Sequence, residues 1–169
     1  MTIADAALLA PPVAPTADFR DVLAHLASGV AIVSCWHDGE PRGLLVSSIT
    51  GLSVEPPRFL FCIRKEARCH HAFAGQSTVS VALLGQDDHE EALRFSHGAR
   101  SAERFQDARW RLASDAPPIY RGGVARATCT VDTVVDAQTH SLFIVSAHAF
   151  DLAPAPPLVA WNRSLVSVG

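Results

Sequence analysis

Most of the chain divides into short runs of β-branched or alternating residues, and this pattern constrains the fold more than any other feature. Strands are predicted over the runs GVAIVSCW, RGLLVSS, RFLFCIR, TVSVALL, HSLFIVSAHAF and LVAW. A further strand over residues 124–135 places on one face Ala125, Ala127, Cys129, Val131 and Val135. Because closing a sheet removes its exposed edges, these strands favour an antiparallel barrel of the mainly β class.

A few helices are predicted to interrupt the strands. The first begins with Asp18 as its N-cap, and apolar residues recur at helical spacing over residues 19–26. A short helix is predicted over residues 67–73, and the run QDDHEEALRF predicts an amphipathic helix with acidic residues at its N-terminal end. Residues 97–122 are predicted to be rich in loops, with Trp110 as their anchor.

Length and composition predict one folded domain. The chain has 169 residues, of which 49% are hydrophobic and 18% charged, and this apolar content excludes disorder of the whole chain. Residues 1–17 are expected to form a flexible N-terminal arm, because prolines interrupt them and they lack the basic region of a signal peptide. Residues 18–169 are expected to form the single domain.

Charge and cysteine content limit the partners and the compartment. The net charge of −3 shows no cationic excess, so the sequence gives no support for binding nucleic acid or an anionic membrane. The cysteines lie in or beside apolar segments, and no secretory leader is expected ahead of them. Four reduced thiols in a cytoplasmic protein are therefore expected, and not a disulfide framework.

Motifs for several chemistries are absent from the sequence. It lacks the glycine-rich phosphate-binding motifs of Rossmann and P-loop proteins and the GxSxG elbow of serine hydrolases. The cysteines and histidines between Cys62 and His71 lack paired metal-ligand spacing, so no metal site is expected. The acidic helix likewise misses the HExxH spacing, and its polar residues, Glu90 and Glu91 among them, are expected to face solvent.

Hydroxyl side chains concentrate in the stretch from Gly43 to Arg68. The hydroxyl residues at the end of a predicted strand and in the loop after it are Ser47, Ser48, Thr50 and Ser53. Such hydroxyls and free loop N–H groups can hold a polyol and a phosphate. Arg64, Lys65 and Arg68 follow the next strand, within reach of a phosphate if the two strands are neighbours. Taken alone, the stretch also fits an ordinary polar loop followed by solvated basic residues.

Several blocks occur in a fixed order along the chain. Leu-Ala-Ser-Gly-Val at residues 26–30 precedes Ser-Ser-Ile-Thr and Ser-Val-Glu-Pro-Pro within residues 47–57, His-Ser-Leu-Phe-Ile at residues 140–144 and Leu-Val-Ala-Trp-Asn-Arg at residues 158–163. Over residues 19–164 the sequence thereby resembles the flavin reductase-like, FMN-binding split-barrel family, which includes the reductase components of two-component flavin monooxygenases. The resemblance implies a six-stranded antiparallel split barrel, usually a homodimer, with flavin held near the subunit interface.

The resemblance also implies roles for individual residues. The isoalloxazine ring and ribityl chain would be lined by Ser47, Ser48, Ile49 and Thr50. Ser53 would lie near the ribityl chain or the phosphate, and Arg68 and Cys69 match the family's basic and hydroxyl pair at the phosphate. His140 matches a histidine near the flavin ring and the nicotinamide, and Arg163 matches the arginine of the C-terminal motif.

The implied activity is that of an NAD(P)H:flavin oxidoreductase, in which NADH or NADPH transfers a hydride to FMN or FAD. His140 would orient or polarise the reactants, and the reduced flavin would diffuse to a partner monooxygenase. Cys69 departs from the family, because a weak thiol donor stands where threonine or serine is usual. Ser164-Leu165 departs as well, since Gly-Tyr or Arg-Tyr more often follows the arginine. The alternative is a non-catalytic flavin- or haem-binding protein, because a fold alone does not settle function.

Overall fold

The computed structural model describes residues 15–168 and shows a mainly β protein. The helices are α1 (Thr16–Ala24), α2 (His70–Ala74) and α3 (His89–Ser96), with 3₁₀ turns at Gln86–Asp88 and Gly98–Glu103. The strands are β1 (Ser28–Gly29), β2 (Ala31–His37), β3 (Glu40–Val46), β4 (Ile49–Ser53), β5 (Arg58–Arg64), β6 (Thr78–Leu83), β7 (Trp110–Arg111), β8 (Ile119–Tyr120), β9 (Ala125–Ala137), β10 (His140–Leu152), β11 (Leu158–Trp161) and β12 (Ser164–Ser167). Within residues 15–168, none of the helices is long and apolar enough to cross a bilayer.

Seven strands form one sheet in the order β3-β2-β6-β9-β10-β5-β4, with antiparallel neighbours throughout. The strands at its two edges, β3 and β4, are joined by Ser47 and Ser48 alone. Since two residues span only a few ångströms, this link requires the sheet to curl until its edges meet. Counting β3 and β4 as one bent strand gives six, which confirms the predicted six-stranded split barrel.

The barrel stays open along part of β3. This strand pairs with β2 only, and its other edge faces the loop that follows β5. We call the gap between residues 41–45 of β3 and residues 66–69 of that loop the split. The open strand edge there leaves room for a ligand.

Apolar side chains on alternate positions fill the barrel interior. Phe61 and Ile63 of β5 and Phe143 of β10 are buried, and the rings of Phe61 and Phe143 stack with their centroids 5.2 Å apart. This confirms the apolar face predicted for β5. Helix α2 covers one end of the barrel, where the thiol of Cys35 donates to the carbonyl oxygen of Ala72 at 3.7 Å.

A second apolar cluster lies outside the barrel, under α3 and the two-stranded sheet of β7 and β8. Trp110 is buried there, as predicted, and its Nε1 donates to Glu91 Oε1 at 2.8 Å. Glu91 also accepts a bond from Arg94 Nη1 at 2.7 Å. The expectation that Glu91 faces solvent is therefore wrong, because these two donors allow its carboxylate to be buried.

The first helix begins earlier than predicted. Helix α1 starts at Thr16 with Pro15 in the N-cap position, so Asp18 lies in its first turn and caps nothing. An acidic side chain in that turn still interacts favourably with the positive end of the helix dipole. The predicted N-terminal arm of residues 1–17 falls mostly on residues 1–14, which lie outside the described residues.

Two further local predictions need correction. The register of β9 against β10 shifts between Thr133 and Val131, and this β-bulge ends the predicted alternation, so Val135 is exposed. Strand β12 was not predicted at all. It pairs with β11 across a turn in which Asn162 and Arg163 have φ values of 47° and 61°. Such hairpin turns usually carry Asn-Gly, so Asn-Arg gave no turn signal.

Candidate functional site

The link between β3 and β4 lines an open groove of about 460 Å³. Helix α1 and the turn between β11 and β12 form its other walls, and we call it the link groove. Ser47 and Ser48 are exposed in it, together with Trp161 and Arg163 from the turn. The structure therefore brings together three residues that the sequence assigned to one site, namely Ser47, Ser48 and Arg163.

The polar groups of the link groove remain available to bind a ligand. Ser48 Oγ donates to the carbonyl oxygen of Cys62 at 3.1 Å, which leaves the lone pairs of the hydroxyl free to accept. Arg163 pairs with Asp21 of α1, and both side chains are exposed. Because exposed ion pairs contribute little, a ligand anion can compete for this guanidinium.

Ile49 and Thr50 line a separate concave region of about 230 Å³ at the end of the barrel. Its remaining walls are mostly apolar, with Val30 and Leu84 among them. Thr50 Oγ1 makes only a long contact of 3.4 Å with the carbonyl oxygen of Gly51, so its hydroxyl is available. Ile49 and Thr50 are thus near the link groove in sequence, but they line a different surface.

Ser53 and His140 lie apart from both concave regions. Ser53 Oγ donates to the carbonyl oxygen of Pro56 at 2.6 Å and accepts from Arg58 Nε at 2.9 Å, which ties its own loop together. His140 is half-buried at the start of β10, opposite Arg64 of β5, and its Nδ1 is 2.9 Å from Thr139 Oγ1. Within one chain, the structure does not bring His140 to the hydroxyl residues.

Arg68 and Cys69 line a third concave region, a cavity of about 750 Å³ at the split. Arg68 is exposed, whereas Cys69 is half-buried. Burial raises the pKa of the Cys69 thiol, and the charges of Arg104 and Arg42 lower it by less. The thiol is therefore neutral at pH 7 and offers only a weak donor.

Two further basic residues of this cavity were missed by sequence reasoning. Arg42 is half-buried on β3, and Arg104 follows the 3₁₀ turn after α3. Arg42 stands directly before the hydroxyl-rich stretch, so its position in the chain was a usable signal. Arg104 gave none, because nothing local in residues 97–122 shows that this loop folds back against β3.

Comparisons with known proteins place the chain among flavin reductases. A family model described as flavin reductase like domain matches residues 23–169. A protein named flavin reductase (NADH) from Kitasatospora aureofaciens is 32% identical over 161 residues, covering 92% of this chain and 83% of that protein. The reductase subunit HsaB of a flavin-dependent monooxygenase from Mycobacterium tuberculosis is 30% identical over 137 residues, covering 81% and 72%. The solved structure of nitrilotriacetate monooxygenase component B from Mycobacterium thermoresistibile is 29% identical, with a TM-score of 0.81 and coverage of 90% and 86%.

Proposed function

The chain belongs to the flavin reductase like family, and on this premise we propose that it reduces flavin with NADH and supplies the reduced flavin to a monooxygenase. It is an oxidoreductase that acts on FMN or FAD with NADH. The observation that carries this function is the family match over residues 23–169. The alternative, a non-catalytic flavin- or haem-binding protein, is not favoured, because the relatives are named as reductases.

Ser47 and Ser48 bind the flavin ring and ribityl chain in the link groove. Bound flavin accepts the hydride, and this chain supplies binding and orientation. The two hydroxyls exchange hydrogen bonds with the polar edge of the ring, and Arg163 closes the groove from the opposite wall. Ile49, Thr50 and Ser53 of β4 lie outside the link groove, and we assign them to contacts with parts of the flavin that extend beyond it. What supports the assignment is the exposure of both serines in a groove that also holds an arginine.

Arg68 and Cys69 hold the flavin phosphate at the split. Arg68 has no carboxylate within 4.0 Å among residues 15–168, so its guanidinium is free to donate two parallel bonds to phosphate oxygens. Since the neutral thiol of Cys69 donates weakly, the arginine carries most of the phosphate affinity.

A homodimer completes the site in this proposal. His140 lies on the outer face of its sheet, outside the link groove, so we place it against the flavin of a neighbouring subunit, where it orients the nicotinamide. Large apolar side chains without cover support such a partner: Val54 is 92% exposed and Phe150 70%. A cytoplasmic location is supported by the four cysteines, which are all free thiols.

Anaerobic mixing with NADH and excess FMN or FAD tests the function. The absorbance of NADH and of oxidised flavin should fall together, at a rate proportional to the protein concentration. The double variant Ser48→Ala/Thr50→Ala should raise the KM for flavin roughly tenfold, because two hydrogen bonds from the protein to the flavin are lost. Ser114→Ala, an exposed serine elsewhere, is the matched control. A protein that leaves NADH intact with both flavins would contradict the proposed function, and a Soret band would indicate haem instead.

A further inference from the structure

The loop that carries Arg68 joins β5 to α2, and its first residue is fixed to the hairpin of β9 and β10. The backbone N–H of Lys65 donates to the carbonyl oxygen of Thr139 at 2.9 Å. Lys65 Nζ donates to Asp136 Oδ2 at 2.7 Å, so this ammonium group is already engaged by the hairpin. Of the three basic residues at the end of β5 and after it, Arg68 alone has no carboxylate within 4.0 Å among residues 15–168.

The end of the same loop is fixed by a hydrogen bond between α2 and β10. His70 is the first residue of α2, and its Nε2 is 2.8 Å from Ser141 Oγ. Ser141 is 5% exposed, so water competes little for its hydroxyl and the bond is strong. Arg68 lies two residues before His70 in the chain. The bond therefore fixes the loop directly beside Arg68.

Helix α2 does not depend on this hydrogen bond to stay in place. Ala72 and Phe73 are completely buried, and the ring of Phe73 meets that of Phe143 edge-on, with the centroids 6.3 Å apart. Burial of a phenylalanine side chain contributes more to stability than one hydrogen bond does. The bond between His70 and Ser141 thus fixes the position of the loop more than the fold of the helix.

The strands that hold this loop also hold the serine of the link groove. Ser48 Oγ donates to the carbonyl oxygen of Cys62 at 3.1 Å, and the backbone N–H of Cys62 donates to the carbonyl oxygen of Ser48 at 3.2 Å. The next residue of β5, Ile63, is opposite Ser141 in the pairing of β5 with β10. Ser48 and His70 are therefore attached to neighbouring positions of one pair of strands.

We propose that His70 is a positioning residue that sets the distance between the flavin ring at Ser48 and the flavin phosphate at Arg68. The proposal rests on the proposed function, from which both of these contacts are taken. A ribityl phosphate has a fixed number of bonds, so it reaches Arg68 with its ring in the link groove only if the loop is held at the matching distance. The bond from His70 to Ser141 keeps the loop there, so that the phosphate helps to orient the ring as well as to bind it.

Fluorescence titration with FMN and riboflavin tests the proposal without turnover. The His70→Ala variant should raise the Kd for FMN about fivefold and leave that for riboflavin unchanged, because only FMN carries the phosphate. The His70→Gln variant, whose amide can take the place of Nε2, should restore the wild-type Kd for FMN. His89→Ala is the matched control, since it removes an exposed histidine from the first position of α3.

The Ser141→Ala variant removes the same hydrogen bond from its other side. Circular dichroism shows which variants are folded, and Ser141→Ala tests the proposal if His70→Ala is not. It should raise the Kd for FMN by the same factor, and the double variant should bind FMN no more weakly than either single variant, because one interaction is lost in all three. Additive losses in the double variant would overturn the proposal, since the two residues would then act separately.

Turnover with NADH separates positioning from a merely structural role. With FMN as substrate, the kcat of His70→Ala should fall, because a misplaced phosphate displaces the ring, whereas with riboflavin the kcat should stay at the wild-type value. Equal weakening of both flavins, or wild-type Kd values for both, would overturn the proposal even if NADH reduces flavin. A selective loss of FMN affinity in a protein that does not oxidise NADH would support the role of His70 and overturn only the proposed function.

Discussion

The arginines of this chain differ in what holds their guanidinium groups, and the difference separates structural roles from binding roles. Arg109 donates to Asp107 Oδ2 at 3.0 Å and to Asp88 Oδ1 at 2.9 Å, which anchors a loop. Arg104 is fixed by backbone carbonyls. Arg68 is exposed and has no carboxylate partner within residues 15–168, so the fold does not depend on it.

Replacing Arg68→Ala should weaken FMN binding at least tenfold and leave riboflavin binding unchanged. Riboflavin lacks the phosphate, and charge-assisted bonds to a phosphate contribute about 1.5 to 3 kcal/mol each. Fluorescence titration of both flavins at one salt concentration measures the effect. Equal weakening of both would place the damage at the ring site, and no change in either would identify Arg68 as a solvated surface residue.

The protein should be more stable with glycine at position 163 than with alanine there. Arg163 has a φ of 61°, a left-handed conformation that costs about 1 kcal/mol for a residue with a Cβ. The Arg163→Ala variant keeps this conformational cost and loses the ion pair with Asp21. The Arg163→Gly variant loses the same ion pair, but it is relieved of the conformational cost. Thermal unfolding should therefore rank the glycine variant above the alanine variant. A reversed order would mean that the turn between β11 and β12 is not strained.

At the scale of secondary-structure elements, buried acidic side chains attach the loops to the barrel. Asp88 is 3% exposed and accepts bonds from the backbone N–H of Gly85 at 2.8 Å, Tyr120 Oη at 2.9 Å and Arg109 Nη1 at 2.9 Å. It thereby ties the 3₁₀ turn before α3 to strand β8. Burial and the nearby carboxylate of Asp88 raise the pKa of Tyr120, so this phenol stays a donor at neutral pH.

Asp88→Ala should destabilise the protein more than Tyr120→Phe. The alanine leaves a buried N–H and a buried phenol without an acceptor, at a cost of about 3 kcal/mol. The phenylalanine removes one of three donors, at a cost of about 1 kcal/mol. Urea unfolding gives both free energies. Equal losses would show that Tyr120 is the only partner of Asp88 that matters for stability.

The elements that the sequence predicted are those defined by local pattern. The alternating pattern that includes Phe61 and Ile63 predicts β5, because a repeat of two residues can be recognised from neighbouring residues in the sequence alone. Strand β12 depends on a turn with two left-handed residues, and the wall formed by Arg104 depends on contacts with β3, which is distant in the chain. Likewise, the sequence grouped Ser48 and Thr50 as neighbours, but only the curl of the sheet decides that they line different surfaces.

The whole molecule presents apolar surface that a single chain leaves uncovered. Leu152 is 68% exposed and Trp161 47%, in addition to Val54 and Phe150. Large exposed apolar patches mark interaction surfaces. Sedimentation velocity at micromolar concentration should therefore give twice the chain mass of 18.0 kDa. A monomer at that concentration would contradict both the dimer and the shared role proposed for His140.

Stability of the whole molecule should fall in alkali. Burial raises the pKa of Cys35 and of Cys129 from the ordinary 9.0 to about 12. The folded state thus favours the neutral thiols, so their contribution is complete below pH 9 and is lost as the pH rises from about 9 to about 12. The urea midpoint should decline over this range, and less steeply in Cys129→Ala than in Cys62→Ala, the control outside the barrel interior. Identical slopes would contradict the assignment to buried thiols.

The link of Ser47 and Ser48 limits how this protein can change its ligand. These residues span the distance between the two edges of the sheet, and one inserted residue would exchange the inward and outward side chains of β4. Insertions and deletions are therefore excluded here, whereas the turn at Asp38 and Gly39 can vary in length without opening the barrel. Evolution or engineering of flavin preference in the link groove must proceed by side-chain substitution alone, at a backbone of constant length.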